Sequence, residues 1–183
     1  MDRDQRIAFR VPSAYHEAGH SVCAALHGLL GERASIASGE DASSEDAGKT
    51  QLREPCDVED RRLNLDGYII AAIAGSEAQT MAVERGLVPI PDDEKEVTKI
   101  RAQLSYDPAD LEYVQRLLGE TDKGKVRQLL LDAAPQARRM LERPDVWSAV
   151  EAVARLLIDH GEVTRERVLS LMPSPNEAAR PAE

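Results

Sequence analysis

The sequence predicts a mostly α-helical α+β domain with one small β-hairpin and a C-terminal helical bundle. Three observations lead there. Apolar residues recur at helical spacing through most of the chain. Strand-like segments are confined to "RASIAS" (33–38) and "KTQLR" (49–53). Capping residues, glycines and prolines fall where helices should start and stop. A length of 183 residues suits a single domain with a real core. We expect that domain over 1–172, with a mobile loop at about 39–48 and a disordered tail over 173–183.

The elements follow in order. A first helix is expected from Ser13 to about Leu30, with Ser13 as cap, Pro12 before it and Gly31 as its stop. Ala18, Val22, Ala25, Leu26 and Leu29 form its apolar stripe. Between the two strands lies the acidic connector "GEDASSEDAG". Asp57 can cap a second helix through about Arg85, carrying Leu63, Leu65, Ile69, Ile70, Ile73 and Ala74, with Gly86 as its stop. After the loop "LVPIPDD", a helix is expected from Asp92 to about Leu104. "DPADLEYVQRLLG" starts another, with Asp107 as cap and Pro108 in the first turn. Two amphipathic helices follow, separated by Pro144, with a kink expected at Pro135. "TRERVLSLM" makes a short last helix.

Composition excludes several classes. Aromatics are 3% of residues, so Leu, Val, Ile and Ala must build the core. The net charge is −10, which argues against a nucleic-acid or anionic-membrane partner. The longest apolar run, "YIIAAIAG" at Tyr68–Gly75, is far short of the ~20 residues that span a bilayer. No apolar stretch of signal-peptide length appears near Met1, and Cys23 and Cys56 make no disulfide framework. A cytoplasmic location is expected.

The chemistry concentrates in "AYHEAGHSVCAALHG", residues 14–28. His16-Glu17-Ala18-Gly19-His20 fits HExxH. Residues four apart share a helix face, so His16 and His20 can converge on one cation, and imidazole suits zinc. Glu17 sits where it can contact a zinc-bound water without ligating the metal, and so act as general base in its attack. Gly19 inside a helix costs about 1 kcal/mol relative to Ala, which asks for a packing or access reason.

A catalytic zinc takes three protein ligands and keeps one position open. The longer HExxHxxGxxH pattern fails here, because Cys23 and Leu26 stand at its Gly and His positions. His27 is two turns, ~10 Å, beyond His20; it reads as a surface or cleft-rim residue. Cys23 reads as a buried free thiol. The remaining acids are Glu77, in an apolar helix, and Asp92, Asp93 and Glu94, at a helix start. Spacing alone does not choose among them.

"AFRVPSAYHEAGHSVCAALHG" resembles the start of the peptidase domain of the FtsH family of AAA-linked zinc metalloproteases, whose signature is A-Y-H-E-A-G-H. "ASIASG" and "KTQL" resemble that family's strand pair. "IAAIAGSEAQ" resembles its G-G-R-A-A-E helix, and "DDEKEVTKI" its N-D-[IL]-x-x-A-T segment. The resemblance covers most of residues 8–172, with the final helices similar to the family's helical bundle. It implies a zinc-metallopeptidase helical domain with His16, His20 and Asp93 as ligands and Glu17 as base. Aligning Thr98 with the family Thr puts Asp93 on the ligand Asp and Asp92 on the Asn. Asp92 and Glu77 stay open as alternatives. Glu77 stands in a segment that lacks the family's arginine and glutamate; a partly buried acid paired with a base is its other reading.

The family carries an ATPase module and membrane helices, and neither is in this sequence. "EDAGKT" is not a phosphate loop, since Ser43 stands where its first Gly is required. The expectation is a stand-alone zinc metalloendopeptidase that cleaves peptides or unfolded segments, with a separate AAA ATPase as a candidate partner. An extended peptide could add to the hairpin edge, and Tyr15 and Tyr68 are conceivable oxyanion donors. The alternative is a catalytically silent zinc-binding module that holds a partner protein or peptide.

Overall fold

Two long helices, α1 (Arg3–Leu26) and α2 (Val58–Glu84), pack on each other through small residues. A Cβ on Gly19 would lie 2.4 Å from the Ala74 carbonyl oxygen and 2.6 Å from the Ala78 Cβ. The glycine's helix cost therefore has a packing reason. The computed structural model describes residues 3–36, 48–88 and 108–173. Its other elements are β1 (Leu30–Ile36), β2 (Gly48–Leu52), α3 (Pro108–Leu118), α4 (Lys123–Leu141), α5 (Pro144–His160), β3 (Glu162–Thr164) and α6 (Arg165–Leu171). The helical majority and the β1–β2 hairpin agree with the sequence. The helix expected over Asp92–Leu104, the connector through residue 47, the Asp107 cap and the tail from 174 lie outside the described residues.

The first helix is displaced from its expected span. α1 starts at Arg3, so Ser13 lies within it rather than at its start, and Pro12 is buried inside the helix. Burial of Val11 and Pro12 outweighs the loss of one main-chain donor at the proline. The helix ends before Leu30 because Gly28 takes the left-handed conformation, with φ +69. Leu29 N then donates to Ala24 O at 2.7 Å and Gly28 N to Ala25 O at 3.1 Å, closing a Schellman cap. Gly31 is not the stop. It lies in β1, where a Cβ would sit 2.6 Å from the Gln51 carbonyl oxygen.

Among the described residues the sheet has three antiparallel strands in the order β2-β1-β3. β1 runs over 30–36 and β2 over 48–52, each beginning earlier than expected. β3 is an addition to the sequence reading. Three residues after a helix stop carry no period that could announce a strand.

Asp57 caps α2 as expected, accepting from Asp60 N at 2.8 Å. Gly86 stops it with φ +69. The apolar stripe needs one correction: Leu63 is 70% exposed, because the first turns of α2 stand outside the core that begins at Gly67. Asp122 caps α4, which stays helical across Pro135; Pro144 opens α5; and Thr164 caps α6. Among the described residues no helix is long and apolar enough to cross a membrane.

This arrangement positions one surface. β1 and β2 lie against α1, and α3 lies against α2. Side chains of α1, β2 and α3 therefore meet at one cavity of about 780 Å³.

Candidate metal centre

His16 and His20 are buried on α1, one turn apart, where the cavity meets α2. Their Nε2 atoms are 2.9 Å apart and their rings stand nearly perpendicular, at 86°. Asp110, in the first turn of α3, completes a cluster. Its Oδ1 is 3.3 Å from His20 Nε2 and its Oδ2 is 3.6 Å from His16 Nε2.

The outer contacts define which nitrogens face inward. His20 Nδ1 lies 2.7 Å from the Ala71 carbonyl oxygen, which can only accept, so the ring carries its proton there. The His16 ring is hydrogen-bonded by the Gln79 side chain. With Nε2 turned to His20, the nitrogen left for Gln79 is Nδ1. Burial and the neighbouring His20 hold the His16 pKa well below the usual histidine range, so this ring is neutral. Rings that spend a proton outward turn their Nε2 atoms to each other. At 2.9 Å that pairing is satisfied by a cation between them, a proton or a metal ion.

The donor set and spacing fit zinc. Ligands at 2.0–2.1 Å in a tetrahedron stand roughly 3.3 Å apart. The two Nε2 atoms are 2.9 Å apart, Asp110 brings one oxygen to 3.3 Å of His20 and the other to 3.6 Å of His16, and one ligand atom from each of the three residues lies within 4.8 Å of the others. The Ala71 carbonyl and Gln79 are the kind of outer partners that orient metal-bound histidines. Gly75 makes room for the ring, since a Cβ there would lie 2.3 Å from His20 Nε2.

Glu17 is 5% exposed and lines the cavity beside the cluster. Thr50 of β2 donates to its Oε2 at 2.7 Å. Ser21 donates to its main-chain oxygen at 2.8 Å. Gly48 lies against the same carboxylate, where a Cβ would come 2.7 Å from Oε1.

Among the sequence candidates, the structure brings together His16, Glu17 and His20. Asp93 and Asp92 lie outside the described residues, as does Glu94. Asp110 is the carboxylate that sequence reading missed. A signal for it exists: Asp110 is followed by Leu111, as N-D-[IL] requires, whereas Asp93 is followed by Glu94. The threonine of that pattern, matched by Thr98, points the other way.

Three readings are corrected or refined, and the one for Cys23 holds. Glu77 is turned toward Arg138, at 3.8 Å, and is absent from the cavity lining; burial raises its pKa. His27, read as a surface or cleft-rim residue, does not line the cavity. It is half-buried, and a Cβ on Gly67 would lie 3.1 Å from its ring. Tyr15 stacks on Trp147 with centroids 6.0 Å apart, and the Tyr68 hydroxyl donates to Arg53 O at 2.7 Å, so neither reaches the cluster as an oxyanion donor. Cys23 is the buried thiol expected, its pKa pushed up to about 12 by burial.

In comparison with known proteins, no family model matches the chain and no curated protein matches it.

Proposed function

We propose that the chain is a zinc-dependent metalloendopeptidase of the FtsH peptidase type, cleaving peptides or unfolded protein segments. The observation that carries this is the His16–His20–Asp110 cluster with Glu17 beside it, on the wall of one cavity. His16, His20 and Asp110 would hold the ion as a three-ligand set of the catalytic kind. Zinc bound there lowers the pKa of a coordinated water and polarises a carbonyl oxygen.

The chain's own groups do the rest. Glu17 takes a proton from the attacking water and returns it to the leaving amine. Its Oε2 accepts a hydrogen bond from Thr50. β2 is an edge strand whose residues line the cavity, so an extended peptide can run beside it. Flexible segments reach such a cavity unaided; folded proteins need a separate ATPase to unfold them.

The test is incubation of the zinc-loaded protein with a reduced, alkylated and therefore unfolded protein. We expect cleavage that a chelator abolishes and zinc restores. Glu17→Gln should keep its zinc and lose at least ~100-fold in rate. Fully zinc-loaded protein that cuts no unfolded substrate would overturn the enzyme reading in favour of a silent zinc-binding module.

A further inference from the structure

The hydroxyl cluster behind Glu17 has a logic that HExxH does not supply. Thr50 Oγ1 is within reach of two acceptors, Glu17 Oε2 at 2.7 Å and Glu17 O at 3.0 Å, yet a hydroxyl has one proton. Ser21 Oγ is fully buried and donates to the same main-chain oxygen at 2.8 Å, one helical turn back. With that carbonyl already served, the Thr50 proton goes to the carboxylate. The contact there is the shorter of the two, 2.7 Å against 3.0 Å.

Ser21 Oγ lies 3.3 Å from Thr50 Oγ1, so the two hydroxyls are neighbours, each with its own proton spent on Glu17. Gly48 is two residues from Thr50 on the same strand and therefore on the same face. A Cβ on Gly48 would lie 2.7 Å from both Cγ and Oε1 of Glu17. β2 thus clamps the Glu17 carboxylate with a glycine that lets it in and a threonine that holds it. The "GKT" triplet, which mimics the end of a phosphate loop in the sequence, is this clamp.

We propose that Thr50 is a positioning residue for Glu17, donating to its carboxylate while Ser21 occupies the Glu17 main-chain oxygen. The proposal rests on the peptidase reading above. It makes β2, the strand on which a peptide would lie, also the strand that aims the base. Substrate pairing and base orientation then share one element.

The test uses the zinc-loaded full chain with Thr50→Val, which keeps the shape and removes the hydroxyl, and Thr50→Ser, which keeps the hydroxyl. Zinc content and thermal unfolding are measured for each. We expect Thr50→Val to bind zinc normally, to lower kcat roughly 10- to 100-fold, and to leave KM nearly unchanged. Thr50→Ser should recover most of kcat. A second readout needs no turnover: acetohydroxamic acid, whose proton goes to the base when it ligates zinc, should bind Thr50→Val more weakly and Thr50→Ser as wild type. Unchanged kcat and hydroxamate affinity in Thr50→Val overturn the proposal. So does a loss in kcat that Ser fails to rescue. A wild-type protein that binds zinc and hydroxamate but cleaves nothing overturns the peptidase reading instead, and the hydroxamate arm still decides the role of Thr50.

Discussion

The Nδ1 atom of His20 lies 2.7 Å from the main-chain oxygen of Ala71. One contact between α1 and α2 therefore selects the tautomer that turns Nε2 toward His16 and Asp110. Four residues along α2, on the same helical face, Gly75 gives the ring its space. α2 thus holds one edge of the imidazole and yields to the other.

Gly75→Ala should damage the metal site more than the fold. The added Cβ would lie 2.3 Å from His20 Nε2, and the ring must swing away from Ala71 to accept it. We expect circular dichroism to report an intact helical domain while the zinc Kd rises ~10- to 100-fold. An unchanged Kd would show that the ring is not held as described.

Gly19→Ala should do the reverse and weaken the fold. Alanine gains about 1 kcal/mol of helix propensity over glycine. Here its Cβ would meet the Ala74 carbonyl oxygen at 2.4 Å, a main-chain atom that cannot move without shifting α2. Urea denaturation should show a net loss of about 1–3 kcal/mol. A stabilised variant would contradict the packing assigned to α1 and α2.

Asp110 and Asp93 are separated by zinc stoichiometry. Asp110→Ala should fall well below one zinc per chain and lose chelator-resistant binding, while Asp93→Ala should keep its zinc. Retention in Asp110→Ala with loss in Asp93→Ala would return the ligand to the residue that the sequence resemblance implies.

Glu77 predicts a pH dependence. Burial raises its folded pKa above the ordinary carboxylate value, with Arg138 opposing that shift. The folded state then holds the proton to higher pH than the unfolded chain. Stability falls as pH climbs from the unfolded pKa through the raised one. Glu77→Gln should therefore be more stable than wild type at neutral pH, and the gain should vanish under acid conditions below the ordinary Glu range. It should also keep its zinc, since Glu77 faces Arg138 rather than the cavity. Unfolding midpoints measured across pH check the first point, and metal analysis the second.

His16, Glu17 and His20 are legible in the sequence because their relationship is local: helix periodicity alone puts the two imidazoles on one face. Asp110 is not, because its place beside them depends on how α3 docks against α2, a contact that spacing along the chain does not encode. The same division runs through the fold. Asp57 and Gly86 mark helix ends correctly, since capping is decided within one turn. Pro12 and Leu63 mislead, one by being buried within a helix and the other by standing on a turn that leaves the core. Gly48 and Thr50 acquire a meaning only when β2 meets Glu17.

Anomalous diffraction at the zinc absorption edge, from protein loaded with stoichiometric zinc, tests the metal centre most directly. We expect a single strong peak bound by Nε2 of His16, Nε2 of His20 and a carboxylate oxygen of Asp110, with Glu17 beside it and not ligated. A peak held without Asp110, or no ordered zinc at His16 and His20, would contradict the assignment.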